Sequence, residues 1–67
     1  MSLLERTIAL AHELDLSGAE IAQICAAIKV TPRWYYKVVG GHTKDPGVNN
    51  VEALYNALIA RKQQAAA

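Results

Sequence analysis

Val30-Thr31-Pro32-Arg33-Trp34-Tyr35-Tyr36-Lys37-Val38-Val39-Gly40-Gly41 reads as a short helix with both ends marked. Thr31 is a good N-cap, because its hydroxyl can accept a hydrogen bond from an orphan N–H of the first turn. Pro32 then falls at the first helical position, where its missing N–H costs nothing and its fixed φ suits the helix. Gly40 and Gly41 supply a residue able to turn left-handed past the C-terminus. Successive helix side chains lie about 100° apart, so Trp34, Tyr35 and Tyr36 cannot share one face. Tyr35 and Val38 share a face with Thr31. Arg33, Tyr36 and Lys37 share another, at i, i+3 and i+4. One side is therefore apolar. The other presents a guanidinium, a phenol and an ammonium, groups that grip phosphates and read base edges. An ordinary solvated face is the alternative at this point.

Upstream, Ser17-Gly18-Ala19-Glu20 is a capping box that opens a helix. Ile21, Ile24, Cys25 and Ile28 follow at i, i+3, i+4 and i+7, a buried face. Cys25 sits in its middle and reads as inert packing rather than as a nucleophile. Lys29-Val30 is the only break before Thr31 caps the next helix. Two helices joined so closely cross sharply, in the manner of a helix-turn-helix, and the second can protrude.

Further upstream, Ser2-Leu3-Leu4-Glu5 is another capping box. Leu4, Ile8 and Ala11 form a stripe flanked by Leu3, Thr7, Leu10 and Leu14. His12 lies off its centre and reads as a surface residue. Downstream, Asp45-Pro46-Gly47 is turn chemistry. Asn49-Asn50-Val51-Glu52 reads as a third cap. Val51, Leu54, Tyr55, Leu58 and Ile59 then form one apolar face, with Arg61 and Lys62 near the C-terminal end where cations suit the helix dipole. The expected fold is all-α: a compact four-helix domain over residues 1–67 with helices at about 3–14, 18–28, 31–39 and 50–62. Residues 63–67 either prolong the last helix or fray.

Composition narrows the classes. Sixty-seven residues make one domain at most, and a chain this short is marginal alone. One cysteine rules out an internal disulfide and fits a reducing cytosol. No apolar run is long enough to span a membrane, and the N-terminus does not read as a signal peptide. The net charge of +1 hides an asymmetry. Residues 1–28 carry one cation against four anions, and residues 29–67 carry six cations against two anions. A basic half holding the central helix suggests a polyanion partner. Glu5, Glu13 and Glu20 read as caps or surface charges, with no opposed acid–base pair, so an enzyme is not expected. Neither a metal, a cofactor nor a small-molecule substrate is expected.

In this order, the elements resemble the Cro/repressor-type (lambda-repressor-like) helix-turn-helix domains of phage and bacterial regulators. The likeness covers about residues 16–58. Leu16-Ser17-Gly18-Ala19-Glu20-Ile21-Ala22 is similar to the opening of the first motif helix. Val30-Thr31 with Tyr35 and Val38 resembles the turn exit, the small cap and two buried positions. Gly41 matches the glycine that closes the recognition helix. Pro46, Val48, Val51, Leu54 and Leu58 match the spacing of the following helix. There are departures. The family usually has five residues from the motif Ala to the turn Val, whereas Ala22 to Val30 is eight. Either the first motif helix carries nearly one extra turn, or Cys25 takes the Ala position. Lys29 stands where the turn Gly is usual, and the fifth helix of many members is missing.

The resemblance implies a homodimeric transcriptional regulator, a repressor, on a pseudo-palindromic double-stranded DNA operator in the bacterial cytoplasm. It implies that Pro32, Arg33, Tyr36 and Lys37 face the bases, and that Ser17, Lys29, Thr31, His42 and Lys44 contact phosphates. Trp34 is expected to pack against the last helix. The alternative is a protein-interaction module, an antirepressor or adaptor, anchored by Trp34 and Tyr36. The chain is also compatible with being the DNA-binding part of a longer regulator.

Overall fold

The computed structural model describes residues 2–42 and 47–66, with the backbone alone for residues 65 and 66. It contains four helices: α1 (Leu3–Leu14), α2 (Gly18–Ile28), α3 (Pro32–Val39) and α4 (Val48–Ala66). No strand occurs among the described residues. The all-α architecture expected from the periodicity is the one observed.

Local chemistry fixes most helix ends. The Ser2 hydroxyl accepts from the Glu5 N–H at 3.1 Å, and the Glu5 carboxylate accepts from the Ser2 N–H at 3.2 Å. The same reciprocal box joins Ser17 and Glu20. The Thr31 hydroxyl accepts from the Trp34 N–H at 3.1 Å, so Thr31 stands just outside α3 as its cap and Pro32 is the first helical residue. α4 departs from expectation at both ends. It starts at Val48, two residues early, because Gly47 at φ +85° turns the chain in and its carbonyl accepts from the Val51 N–H at 3.0 Å. Asn49 and Asn50 therefore lie within the first turn. The helix runs on past Lys62 to Ala66 because nothing in Gln63-Gln64-Ala65-Ala66 breaks it and alanine is the best helix former.

α1 lies chiefly against α4, while α2 touches both α3 and α4. α3 rests on α1 and α2. The core is built from Leu10, Ala11, Ile21, Ile24, Cys25, Tyr35, Leu54 and Leu58. At 0 % exposure, Leu54 and Leu58 are the largest side chains fully excluded from water, which puts α4 at the centre of the packing.

The buried face of α1 is rotated from the expected stripe. Thr7, Leu10 and Ala11 are buried, whereas Leu4 and Ile8 are half-buried. A threonine tolerates the centre because its hydroxyl donates to the Leu3 carbonyl at 2.7 Å, leaving no polar group unpaired. His12 is exposed as expected, yet its ring is engaged. Its Nε2 lies 3.3 Å from the Val39 carbonyl, so the Nε2–H tautomer donates to the last turn of α3. Arg61 and Lys62 do not serve the end of α4. With the helix prolonged, they reach across it, Arg61 to Glu20 at 3.6 Å and Lys62 to Glu13 at 3.0 Å. Arg61 also donates to the Gln23 side chain at 3.1 Å.

Candidate nucleic-acid interface

The exposed face of α3 is set by the turn before it and the cap after it. α2 ends in a Schellman arrangement: the Val30 N–H donates to the Cys25 carbonyl at 2.9 Å and the Lys29 N–H to the Ala26 carbonyl at 3.4 Å. The residue forced left-handed is Lys29, at φ 62° and ψ 43°. The turn is thus closed by lysine in the conformation a glycine takes without strain. Three residues, Lys29, Val30 and Thr31, separate α2 from α3, a helix-turn-helix connection.

Cys25 is 0 % exposed, while Ala22 is exposed, so the buried small residue stands five positions before Val30. Burial pushes the Cys25 thiol above its ordinary range, which keeps it protonated and inert at neutral pH. Burial, reinforced by neighbouring Cys25 and Tyr36, likewise raises the Tyr35 phenol.

α3 closes with a second Schellman motif. The His42 N–H donates to the Lys37 carbonyl at 2.9 Å and the Gly41 N–H to the Val38 carbonyl at 3.1 Å, with Gly41 left-handed at φ +77°. The His42 ring folds back over Gly40, where an added Cβ would meet its Cδ2 at 2.9 Å.

Between these two fixed ends, Tyr35 and Val38 face inward at 3 % and 1 % exposure, and Pro32, Arg33, Tyr36 and Lys37 face outward. The four residues assigned to base contacts therefore lie together on the solvent side of α3. Tyr36, 55 % exposed, meets buried Tyr35 edge-on, with ring centroids 5.6 Å apart and planes at 87°. Its phenol is thus footed on a core side chain rather than hanging free. Trp34 is half-buried and packs against the core, which removes it from the exposed aromatic pair.

The residues assigned to phosphates divide. Lys29 and Thr31 are exposed in the turn entering α3, and His42 is exposed just beyond its end, so these three border the outward face. Lys44 lies outside the described residues. Ser17 caps the start of α2, about 18 Å along the helix axis from Lys29. Its hydroxyl is committed within its capping box, accepting from the Glu20 N–H at 3.3 Å and donating to the Glu20 carboxylate at 3.1 Å. A phosphate there would meet an anion first.

Charge pairing sharpens the asymmetry seen in the sequence. The two cations near the end of α4 are matched by Glu20 and Glu13. Among the described residues, Lys29, Arg33 and Lys37 have no carboxylate partner. Unneutralised positive charge thus borders α3 and not the far end of α4. Sequence reasoning missed both cross-helix pairs, and only the opposite signs of the two halves hinted at them. Comparison of the chain with models of known families, with curated proteins and with solved structures finds no match.

Proposed function

We propose that this chain is a sequence-specific double-stranded DNA-binding regulator of the phage or bacterial type, a repressor, that places α3 in the major groove. The observation that carries the reading is the outward face of α3: Arg33, Tyr36 and Lys37 exposed together, unpaired with any carboxylate among the described residues, on a helix capped at both ends. The buried Cys25 five residues before Val30 and the left-handed turn residue one before it also fit the helix-turn-helix resemblance.

In this reading Arg33 makes the main base contact, a bidentate pair with guanine O6 and N7, worth roughly 1–3 kcal/mol of discrimination. Pro32, Tyr36 and Lys37 complete the base-facing set. Lys29, Thr31, His42 and Lys44 hold phosphates and set register. Ser17 is the weakest member, because Glu20 already occupies its hydroxyl. Two subunits occupy two half-sites of a pseudo-palindrome. Such a regulator works in the bacterial cytoplasm, and no helix among the described residues is long and apolar enough to cross a membrane. The competing protein-interaction reading loses one of its two anchors, since Trp34 is half-buried.

The test is selection of binding sites from a random double-stranded DNA library at near-physiological salt, followed by binding of single variants. We expect a two-fold symmetric sequence to be enriched. Arg33→Ala should lose affinity and relax preference at one base position, whereas Lys29→Ala should lose affinity almost uniformly across sequences. The reading fails if folded protein enriches no sequence, or if binding survives unchanged in both variants.

A further inference from the structure

Three grooves beside α4 differ in the charge they offer. Two of them share Arg61, whose guanidinium is tied to Glu20 at 3.6 Å and to Gln23 at 3.1 Å, and neither has another cation in its lining. The third lies between α1 and α4 and has a volume of about 360 Å³. It is lined on α1 by Arg6 and Glu13 and on α4 by Lys62. Lys62 matches Glu13 at 3.0 Å. Arg6 is exposed, has no carboxylate partner among the described residues, and is the only Lys or Arg in residues 1–28. The groove therefore carries one net positive charge in the half of the chain that is otherwise acidic.

Between the charged residues its walls are apolar. Ala9 and Leu10 lie between Arg6 and Glu13 on α1, and Ile59 precedes Lys62 by less than one turn on α4. Arg6 and Glu13 are seven residues apart, which is about 10 Å along the helix. The walls thus form a strip between two helices, with a free cation at one end and a neutralised ion pair at the other.

We propose that this groove binds a free medium-chain fatty acid. The carboxylate pairs with the Arg6 guanidinium, and the hydrocarbon chain lies along Ala9, Leu10 and Ile59. Charge selects the head group. A guanidinium accommodates a carboxylate through two parallel N–H···O bonds, and one unpaired cation is neutralised by one negative charge. A cationic head would have to displace Lys62 from Glu13, the only carboxylate in the lining. Shape selects the body, since a strip of apolar wall suits a chain laid lengthwise. The volume falls at the lower end of small-ligand sites, about 300–1,000 Å³. A stable protein partner would need an interface on the order of 1,000 Å², more than a groove of this length provides. One side of the ligand stays in water, so binding is weak, with a Kd of about 1 mM.

The site stands apart from α3 and its test uses no DNA, so it succeeds or fails independently of the DNA-binding reading. The full chain, labelled with 15N, is titrated at pH 7 with octanoate, and backbone amide shifts are followed by NMR. Octanoate should shift the amides of Arg6, Ala9, Leu10 and Ile59 along one saturating curve. Octan-1-ol, which lacks the charge, should shift the same amides about fivefold more weakly, and octylammonium should not shift them. Acetate, which lacks the chain, should not saturate. Arg6→Gln should weaken octanoate about fivefold and leave octan-1-ol unchanged, which shows in one experiment that the variant is folded and that the charge was lost. Ala9→Glu, at an exposed helical position, sets an anion in the wall and should abolish octanoate binding. Octanoate shifts that are absent up to about ten times the expected Kd, or that map to Lys29, Arg33 and Lys37 instead, would overturn the proposal. So would equal binding of octanoate by the parent chain and Arg6→Gln.

Discussion

Lys29→Gly separates what the turn does for the fold from what its side chain does for binding. Lys29 is held at φ 62° and ψ 43°, and its N–H and that of Val30 close the end of α2. A side chain in this region sets Cβ too close to the following carbonyl, which costs roughly 1–2 kcal/mol. Glycine removes that cost but loses more freedom on folding, by about 0.5–1 kcal/mol. The balance is a gain of roughly 0.5–1 kcal/mol, which in a domain of this size raises Tm by about 2–8 °C. Lys29 is also exposed and unpaired among the described residues, at the entrance to α3. If it holds a phosphate, the same substitution weakens DNA binding at every sequence and lowers the salt slope by about one per subunit. The variant should therefore be more stable and bind less well. Lys29→Ala provides the control, since it keeps Cβ in the strained region and removes the charge. It should lose affinity as Lys29→Gly does, without the gain in Tm. Thermal melts by circular dichroism and a salt titration of operator binding measure both effects. An unchanged or lower Tm in Lys29→Gly would refute the left-handed turn as the source of strain, and unchanged binding would remove Lys29 from the interface.

Two further predictions concern stability. Asp15 ends α1 left-handed at φ 47°, and it also places a negative charge at the negative end of the helix dipole. Tm should rise from the parent chain to Asp15→Asn, which removes the charge, and again to Asp15→Gly, which also relieves the backbone; a reversed order in thermal melts would contradict this. The second is alkaline sensitivity. Burial holds the pKa of Cys25 above its ordinary 9.0 and that of Tyr35 above its ordinary 10.0, so the folded state favours their protonated forms. In the unfolded chain the thiol ionises first, so this stabilisation is complete below about pH 9 and is lost as pH rises through the folded values. Urea midpoints from pH 7 to 11 should fall from about pH 9 in the parent chain. In Cys25→Ala the fall should begin nearer pH 10, from a lower plateau, and Tyr35→Phe should flatten the later part. Parallel curves for all three chains would show that neither group governs the loss.

The features legible in the sequence are those whose energies are local. Ser2 with Glu5, Ser17 with Glu20, and Thr31 with Pro32 satisfy orphan N–H groups within one turn of chain, so residue type and spacing suffice to place the starts of α1, α2 and α3. The inward set Ile21, Ile24 and Cys25 was legible for the same reason. Other features needed partners that a linear pattern does not display. Thr7 reaches the centre of the core because a hydroxyl that donates four residues back counts as satisfied, whereas a pattern built on apolar residues assigns it to the flank. Arg61 and Lys62 look like dipole partners until α4 is seen to continue and Glu20 and Glu13 to face it from two other helices. The candidate site shows the same division. That Arg33, Tyr36 and Lys37 share the solvent side of α3 follows from helix geometry, and the fold places them there. Among the described residues Arg33 and Lys37 have no carboxylate partner, whereas Arg61 and Lys62 are paired with Glu20 and Glu13. Carboxylates held at one end of the domain are not available to screen the cations bordering the other helix, and the contrast between the two halves of the chain becomes a contrast between two surfaces.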